Sequence, residues 1–306
     1  MAWQVYRLVF RLETPLHIGR RGWGIIQRTR PYLMGKNLWA ATTAHLTRAL
    51  GSDDYENVGR ALRENTVFTY FYLASDITSP LIPCYGDEGL RYGNLTANEF
   101  EFRFIGSYAS TAIDPAMQSA EEASLHEVEV ILPHTRDKGE QVYLHGHLLI
   151  HEGAQIMGRS LDASLLLNVL TDIQVGGERG YGYGRLLKHD FHDSKPWPGK
   201  LFDQYEVDDL TLTMPPGSPL PAHALIEGLF AKGDIEPLTG REWGKFPSDE
   251  DLRKKQIQRE GAGQVMPQPN KIAVCYVPGS VPRDVHIFEF DLERYGILKV
   301  KGGLVA

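Results

Sequence analysis

The sequence predicts an α+β fold: a βαββαβ unit with a long insertion after its first helix, then a smaller, β-rich second part. Three observations lead there. Trp3 to Leu12 alternates apolar and polar residues, as a half-buried strand does. Two stretches, Asn37 to Leu50 and Ser160 to Ile173, carry apolar residues at helical spacing instead. The second of these is followed by a loop with five glycines in nine residues, then by a strand-like run, Arg185 to Phe191.

Taken in order, the first strand puts Tyr6, Leu8, Phe10 and Leu12 on one face and Val5, Arg7 and Arg11 on the other. Thr14-Pro15 ends it. Asn37 is expected to cap the first helix, whose buried stripe is Leu38, Trp39, Thr42, Leu46, Ala49 and Leu50, and Gly51 to stop it. A short helix is expected from Glu56 to Asn65, and an aromatic, β-like stretch from Thr66. Glu99 to Phe104 alternates, with Phe100, Phe102 and Phe104 on one side, and reads as a strand. Ser107 to Leu125 reads as loop, and His126 to Leu132 and Val142 to Ile150 as strands around a polar turn near Asp137. Ser160 is expected to cap the second helix, with Leu161, Leu165, Val169 and Ile173 on its apolar side.

This order is that of a ferredoxin-like (RRM-like) core. Trp3–Leu12, Arg185–Phe191 and either Glu99–Phe104 or His126–Leu132 are expected to share one antiparallel sheet, with both helices on one face. Ser194-Lys195-Pro196-Trp197-Pro198-Gly199 marks a boundary between domains 1–193 and 194–306. In the second domain, Val207 to Met214 reads as a strand and His223 to Phe230 as a short helix. A polar stretch from Arg241 to Gln268 holds a small basic patch, Arg253, Lys254, Lys255 and Arg259. Three strands close the chain: Lys271 to Val277, His286 to Leu292 and Ile297 to Val300.

Composition narrows the function classes. The 306 residues carry a formal charge of −7 and are 42% hydrophobic, enough for a sizeable core. Cys84 and Cys275 make neither a disulfide framework nor a zinc pattern, and they fit a reducing cytoplasm. No run is long and apolar enough to predict a membrane span. An acidic chain is a poor generic nucleic-acid binder, but the charge is unevenly spread. No acidic residue stands between Glu13 and Asp53, whereas Arg20, Arg21, Arg28, Arg30, Lys36 and Arg48 do. One basic segment in an acidic protein predicts one site for an anionic partner.

The chemistry concentrates in Gly176-Gly177-Glu178-Arg179-Gly180-Tyr181-Gly182-Tyr183-Gly184-Arg185. Glycines let backbone N–H groups approach an anion, arginines supply bidentate phosphate donors, and tyrosines offer faces for bases. A dinucleotide or Walker loop follows a strand and opens a helix; this loop does the reverse. The second basic, glycine-rich stretch is Leu16 to Gly24. The predicted RNA contacts are therefore Arg20, Arg21, Trp23, Arg28, Arg30 and Lys36, together with Gly176, Gly177, Arg179, Gly180, Tyr181, Gly182, Tyr183 and Arg185.

Histidines supply the catalytic alternatives. His145 and His147 share a strand face, with His126, His134 and His151 near in sequence, but no converging ligand set is visible and neither metal nor cofactor is expected. Metal-free RNA cleavage needs a general base beside a 2′-hydroxyl, a role open to His17 or His45.

With these motifs the chain resembles the RAMP superfamily of CRISPR-associated RNA-binding proteins. The glycine loop through Leu186 is similar to that family's loop. Tyr32-Leu33-Met34-Gly35-Lys36-Asn37-Leu38-Trp39-Ala40-Ala41 is similar to the turn that opens its first helix, with Met34 where the family has proline. Thr111 to Asp114 and Ala120 to Glu129 resemble a segment of type III subunits. The resemblance covers residues 1–190 and touches Cys275-Tyr276-Val277-Pro278-Gly279-Ser280. More than a hundred residues follow the loop, unlike the family's processing endonucleases. The resemblance thus implies a Cas-five-like subunit that holds the 5′ handle of the guide RNA (crRNA) beside other effector subunits. A Cas-seven-like backbone subunit and a guide-processing endoribonuclease are the alternatives. The early-loop aspartate that type III backbone subunits use for target cleavage is missing from Thr14 to Ser52, and Asp114 reads as a turn.

Overall fold

The elements that frame the first part of the chain are β1 (Trp3–Leu12), α1 (Gly35–Ala49), α2 (Tyr55–Asn65), β2 (Thr66–Phe68) and β3 (Phe71–Ala74). They continue with α3 (Ala97–Phe104), β4 (Ile105–Ser110), β5 (His126–Ile131), β6 (Tyr143–His151), α4 (Ala163–Val169), β7 (Asp172–Gln174) and β8 (Arg185–Lys188). The computed structural model describes residues 2–20, 22, 24–121, 124–189, 200–238 and 273–302.

β1 lies at the middle of the first sheet, antiparallel to β6 on one side and to β8 on the other. The sheet runs β7, β8, β1, β6, β3, then the short strand Tyr32–Leu33, with β2 also paired to β6. Of the strands that flank the two helices, the last lies beside the first, and the first beside the third. Tyr6, Leu8, Phe10 and Leu12 enter one core with Leu38, Trp39 and Leu46 of α1 and Leu166 and Leu167 of α4. Both helices therefore cover the same face. Gly35 opens α1 where any Cβ would overlap the Phe68 carbonyl oxygen.

The other face is covered by a second sheet. Its strands are β9 (Lys200–Leu201), β10 (Tyr205–Asp208), β11 (Thr211–Thr213), β12 (Ala224–Leu225), β13 (Ile235–Leu238), β14 (Ala273–Tyr276), β15 (Ile287–Asp291) and β16 (Ile297–Val300). They lie in the order β9, β10, β11, β15, β16, β12, β14, β13. Val5, Val67, Tyr72 and Leu149 share a core with Tyr205, Leu212, Phe288 and Leu298. Tyr72 and Tyr205 keep their hydroxyls satisfied there, each donating to a carbonyl at 2.8 Å, those of Pro221 and Pro219. Cys275 is buried and Cys84 half-buried, and neither forms a disulfide.

Several expectations need correction. Glu99–Phe104 is part of helix α3, not a strand. Thr96 and Glu99 form a capping box there. Phe100 and Phe104, one turn apart, are buried, while Phe102 is 58% exposed on the far side. The same three phenylalanines satisfy a period of two on paper. His126–Ile131 is a strand, but it sits in a separate sheet with β4 and Ile26–Gln27; the first strand's partners are β6 and β8. The stretch read as loop from Ser107 holds the end of β4 and a small hairpin, Ile113–Asp114 with Ser119–Ala120.

The caps of both helices differ from those expected. Met34, not Asn37, is the N-cap of α1, and it makes no side-chain bond. Asp162, not Ser160, caps α4, accepting from the Leu165 amide at 3.0 Å; Ser160 lies in a short hairpin and Ile173 in β7. Gly51 follows α1 at φ 69°, as a helix stop does. His223 to Phe230 is not helical: Ala224–Leu225 is a buried strand between β14 and β16. Val207 to Met214 splits into β10 and β11 around a turn at Asp209. Residues 194–199 and 241–268, with their boundary and basic-patch readings, lie outside the described residues.

Candidate nucleic-acid interface

The glycine loop and the segment leaving β1 are laced together. The Gly177 amide donates to the His17 carbonyl at 2.9 Å and the Gly184 amide to the Pro15 carbonyl at 2.8 Å. The Arg185 amide reaches Thr14 Oγ1 at 2.9 Å, and the Glu13 amide the Arg185 carbonyl at 2.9 Å. Space is tight along this seam. A Cβ on Gly177 would stand 2.9 Å from the His17 ring, and one on Gly184 would overlap the Val175 carbonyl oxygen.

This packing accounts for much of the glycine content and revises the expected chemistry. Arg179–Tyr181 is a 3₁₀ turn, closed by the Tyr181 amide on Glu178 and the Gly182 amide on Arg179. With Gly177, Tyr183 and Gly184 also bonded inside the fold, most amides of the loop are already used. Anion contact falls to side chains. Gly180 has open space where its Cβ would be, so a ligand backbone can approach there.

The arginines divide by partner. Arg30 is buried and pairs with Glu236 of β13. Arg28 meets Glu129 at 3.2 Å, and Arg185 grips Asp172 through two bonds at 3.1 and 2.7 Å. Arg20 leans toward Glu236 at 4.0 Å. Lys36 lies over the Tyr295 ring. Arg179 is exposed and has no ion pair among the described residues. Arg21 and Trp23 lie outside the described residues.

Aromatic groups line the same side. Tyr181 is 77% exposed, and Tyr183 lies 6.0 Å from Tyr108 of β4, ring centre to ring centre. Tyr108 is not legible in the sequence, because its strand reads as loop there. His45 and Arg48 of α1 also belong here. Burial, then the charges of Arg48 and Arg179, push the His45 imidazole below its ordinary value, against the pull of Asp172. Arg48 carried no signal beyond its place in the basic interval. His17 is buried, its Nδ1 2.7 Å from the Glu129 carbonyl. His145 and His147 are buried apart from this surface, and no group of three or more metal-binding side chains occurs among the described residues.

No family model and no curated protein matches the sequence. Among solved structures, a chain of the type III-B Cmr-beta complex bound to cognate target RNA and AMPPnP aligns with 90% of this chain and 85% of its own. The TM-score is 0.52 at 10% identity. The two chains share a fold. Further chains of that complex, one bound to cognate target RNA and one in the apo state, align over 60% and 62% of this chain, each with a TM-score of 0.41 at 13% and 12% identity. No helix among the described residues is long and apolar enough to cross a membrane.

Proposed function

We propose that this protein is an RNA-binding subunit of a type III CRISPR effector complex, holding the 5′ handle of the guide RNA among other effector subunits. The observation that carries the reading is the convergence of the two glycine-rich segments, with Arg179 and Tyr181 exposed and their side chains without a partner among the described residues. An unpaired guanidinium suits a phosphate, and an exposed tyrosine suits a base. Strand order fourth, first, third, second with both helices on one face supports a ferredoxin-like arrangement for the first part. The shared fold with a chain of an RNA-bound Cmr-beta complex supports the effector assignment.

His45 favours a second reading, a guide-processing endoribonuclease. A neutral imidazole between two arginines could accept a 2′-hydroxyl proton while they hold the phosphate. Incubating a repeat-containing RNA with the protein, with and without EDTA, separates the two. The binding reading predicts bound, intact RNA in both conditions. Specific scission that His45→Ala abolishes would establish the nuclease, and binding lost with a stoichiometric metal would show that a metal site was misread.

A further inference from the structure

The basic segment that leaves β1 doubles back on itself. The Arg30 amide donates to the Ile18 carbonyl at 2.7 Å, the Arg20 amide to the Arg28 carbonyl at 2.8 Å, and Thr29 Oγ1 accepts from the Ile18 amide at 2.9 Å. These bonds pair residues 18–20 with residues 28–30 as the two arms of a hairpin, but do not aim it. Its aim comes from across the molecule. Glu236, on edge strand β13 of the second sheet, accepts from Arg30 and stands 4.0 Å from Arg20. The same carboxylate accepts from His223 Nε2 at 2.5 Å, and the Tyr70 hydroxyl lies 2.6 Å from His223 Nδ1.

Tyr70, His223, Glu236 and Arg30 thus form one mostly buried chain of polar groups, from the core shared by the two sheets to the hairpin. Burial would raise the Glu236 carboxyl, but the His223 bond and the Arg30 charge hold it at about 2, so it is ionised. A buried ion pair adds little stability over apolar residues of the same size; what it can fix is geometry. A carboxylate is also a poor neighbour for an incoming phosphate, so charge alone does not explain its place beside Arg20.

We infer that Glu236 is a positioning residue: it anchors the hairpin through Arg30 and Arg20 and so sets where the hairpin's arginines meet RNA phosphate. This rests on the RNA-binding reading above. It makes a prediction opposite in sign to simple electrostatics. Removing a negative charge from a phosphate-binding surface should tighten binding; removing an anchor should loosen it.

The test titrates a fluorescein-labelled single-stranded RNA with the full chain, as wild type, Glu236→Gln and Arg179→Ala. Glu236→Gln is expected to bind about tenfold more weakly, a change of about 1.4 kcal/mol. Amide hydrogen exchange should quicken within residues 18–30, with the other elements unchanged. Equal or tighter binding by folded Glu236→Gln overturns the inference. If that variant is too unstable to assay, Arg30→Met with Glu236→Gln, which leaves no buried guanidinium unpaired and keeps an acceptor for His223, decides by the same criterion. If wild type fails to bind, or Arg179→Ala binds like wild type, the RNA reading itself falls. If Arg179→Ala weakens binding and Glu236→Gln does not, only the anchor falls.

Discussion

Gly184→Ala should destabilise the protein by about 3 kcal/mol or more, lowering the melting temperature by roughly 5 °C. Two costs combine. Gly184 has φ 79°, a conformation that an L-residue with a Cβ adopts only under strain. The new methyl would also overlap the Val175 carbonyl oxygen, a backbone atom that is itself placed by the Val175 amide bond to Gly184 at 2.9 Å. Neither side can yield without opening the seam, because the Gly184 amide also holds Pro15. Gly180→Ala is the matched control: nothing lies near its Cβ position and its φ is ordinary, so stability should hardly change. Thermal melts of the two variants beside wild type measure the difference. Equal melting temperatures would mean that Gly184 is not wedged against Val175.

The second large effect is acid sensitivity. His147 is buried on the first sheet's second face, its ring against Phe202, and burial, then the charge of Arg7, pushes its imidazole down to about 3. His145 is pushed down to about 4, chiefly by burial. In the unfolded chain both titrate near 6.5. Between those values the unfolded state binds protons that the folded state refuses, so stability rises with pH. The contribution is complete above about pH 6.5 and is lost as pH falls from there toward 4 and 3. Each group costs about 1.4 kcal/mol per pH unit within its window, which amounts to a loss on the order of several kcal/mol by pH 4.5. Denaturant melts from pH 7.5 to 4.5 should show this slope, and His147→Phe should flatten it. Stability that is level from pH 7 to pH 5 would contradict the burial of these two histidines.

Much of the fold was legible because the pattern and the tertiary structure agree. β1 reads correctly since its two faces meet two different cores, one apolar throughout and one mixed. The failures have local causes. Three phenylalanines at 100, 102 and 104 fit a strand and a helix equally, and only the capping box at Thr96 breaks the tie. Asp162 and Ser160 both resemble caps, and which one faces the helix depends on a hairpin that ends at Ser160. In the site, residue types were readable but their availability was not. Glu129, Asp172 and Glu236 decide which arginines are engaged, and Glu129 and Glu236 act from over a hundred residues away in sequence. Tyr108 and Arg48 join the surface only through folding, so no spacing could have singled them out.

The central claim is that the loop's exposed side chains, Arg179 and Tyr181, contact RNA. It is tested most directly by guide-RNA affinity measured across salt concentrations for wild type, Arg179→Ala and Tyr181→Ala, each shown to be folded. Arg179→Ala should weaken binding and flatten the dependence of log affinity on log salt by about one, the signature of one lost phosphate contact. Tyr181→Ala should cost about 1–3 kcal/mol through a lost base stack and leave the slope unchanged. Two variants that bind as wild type does at every salt concentration would reduce the glycine loop to a turn and contradict the assignment.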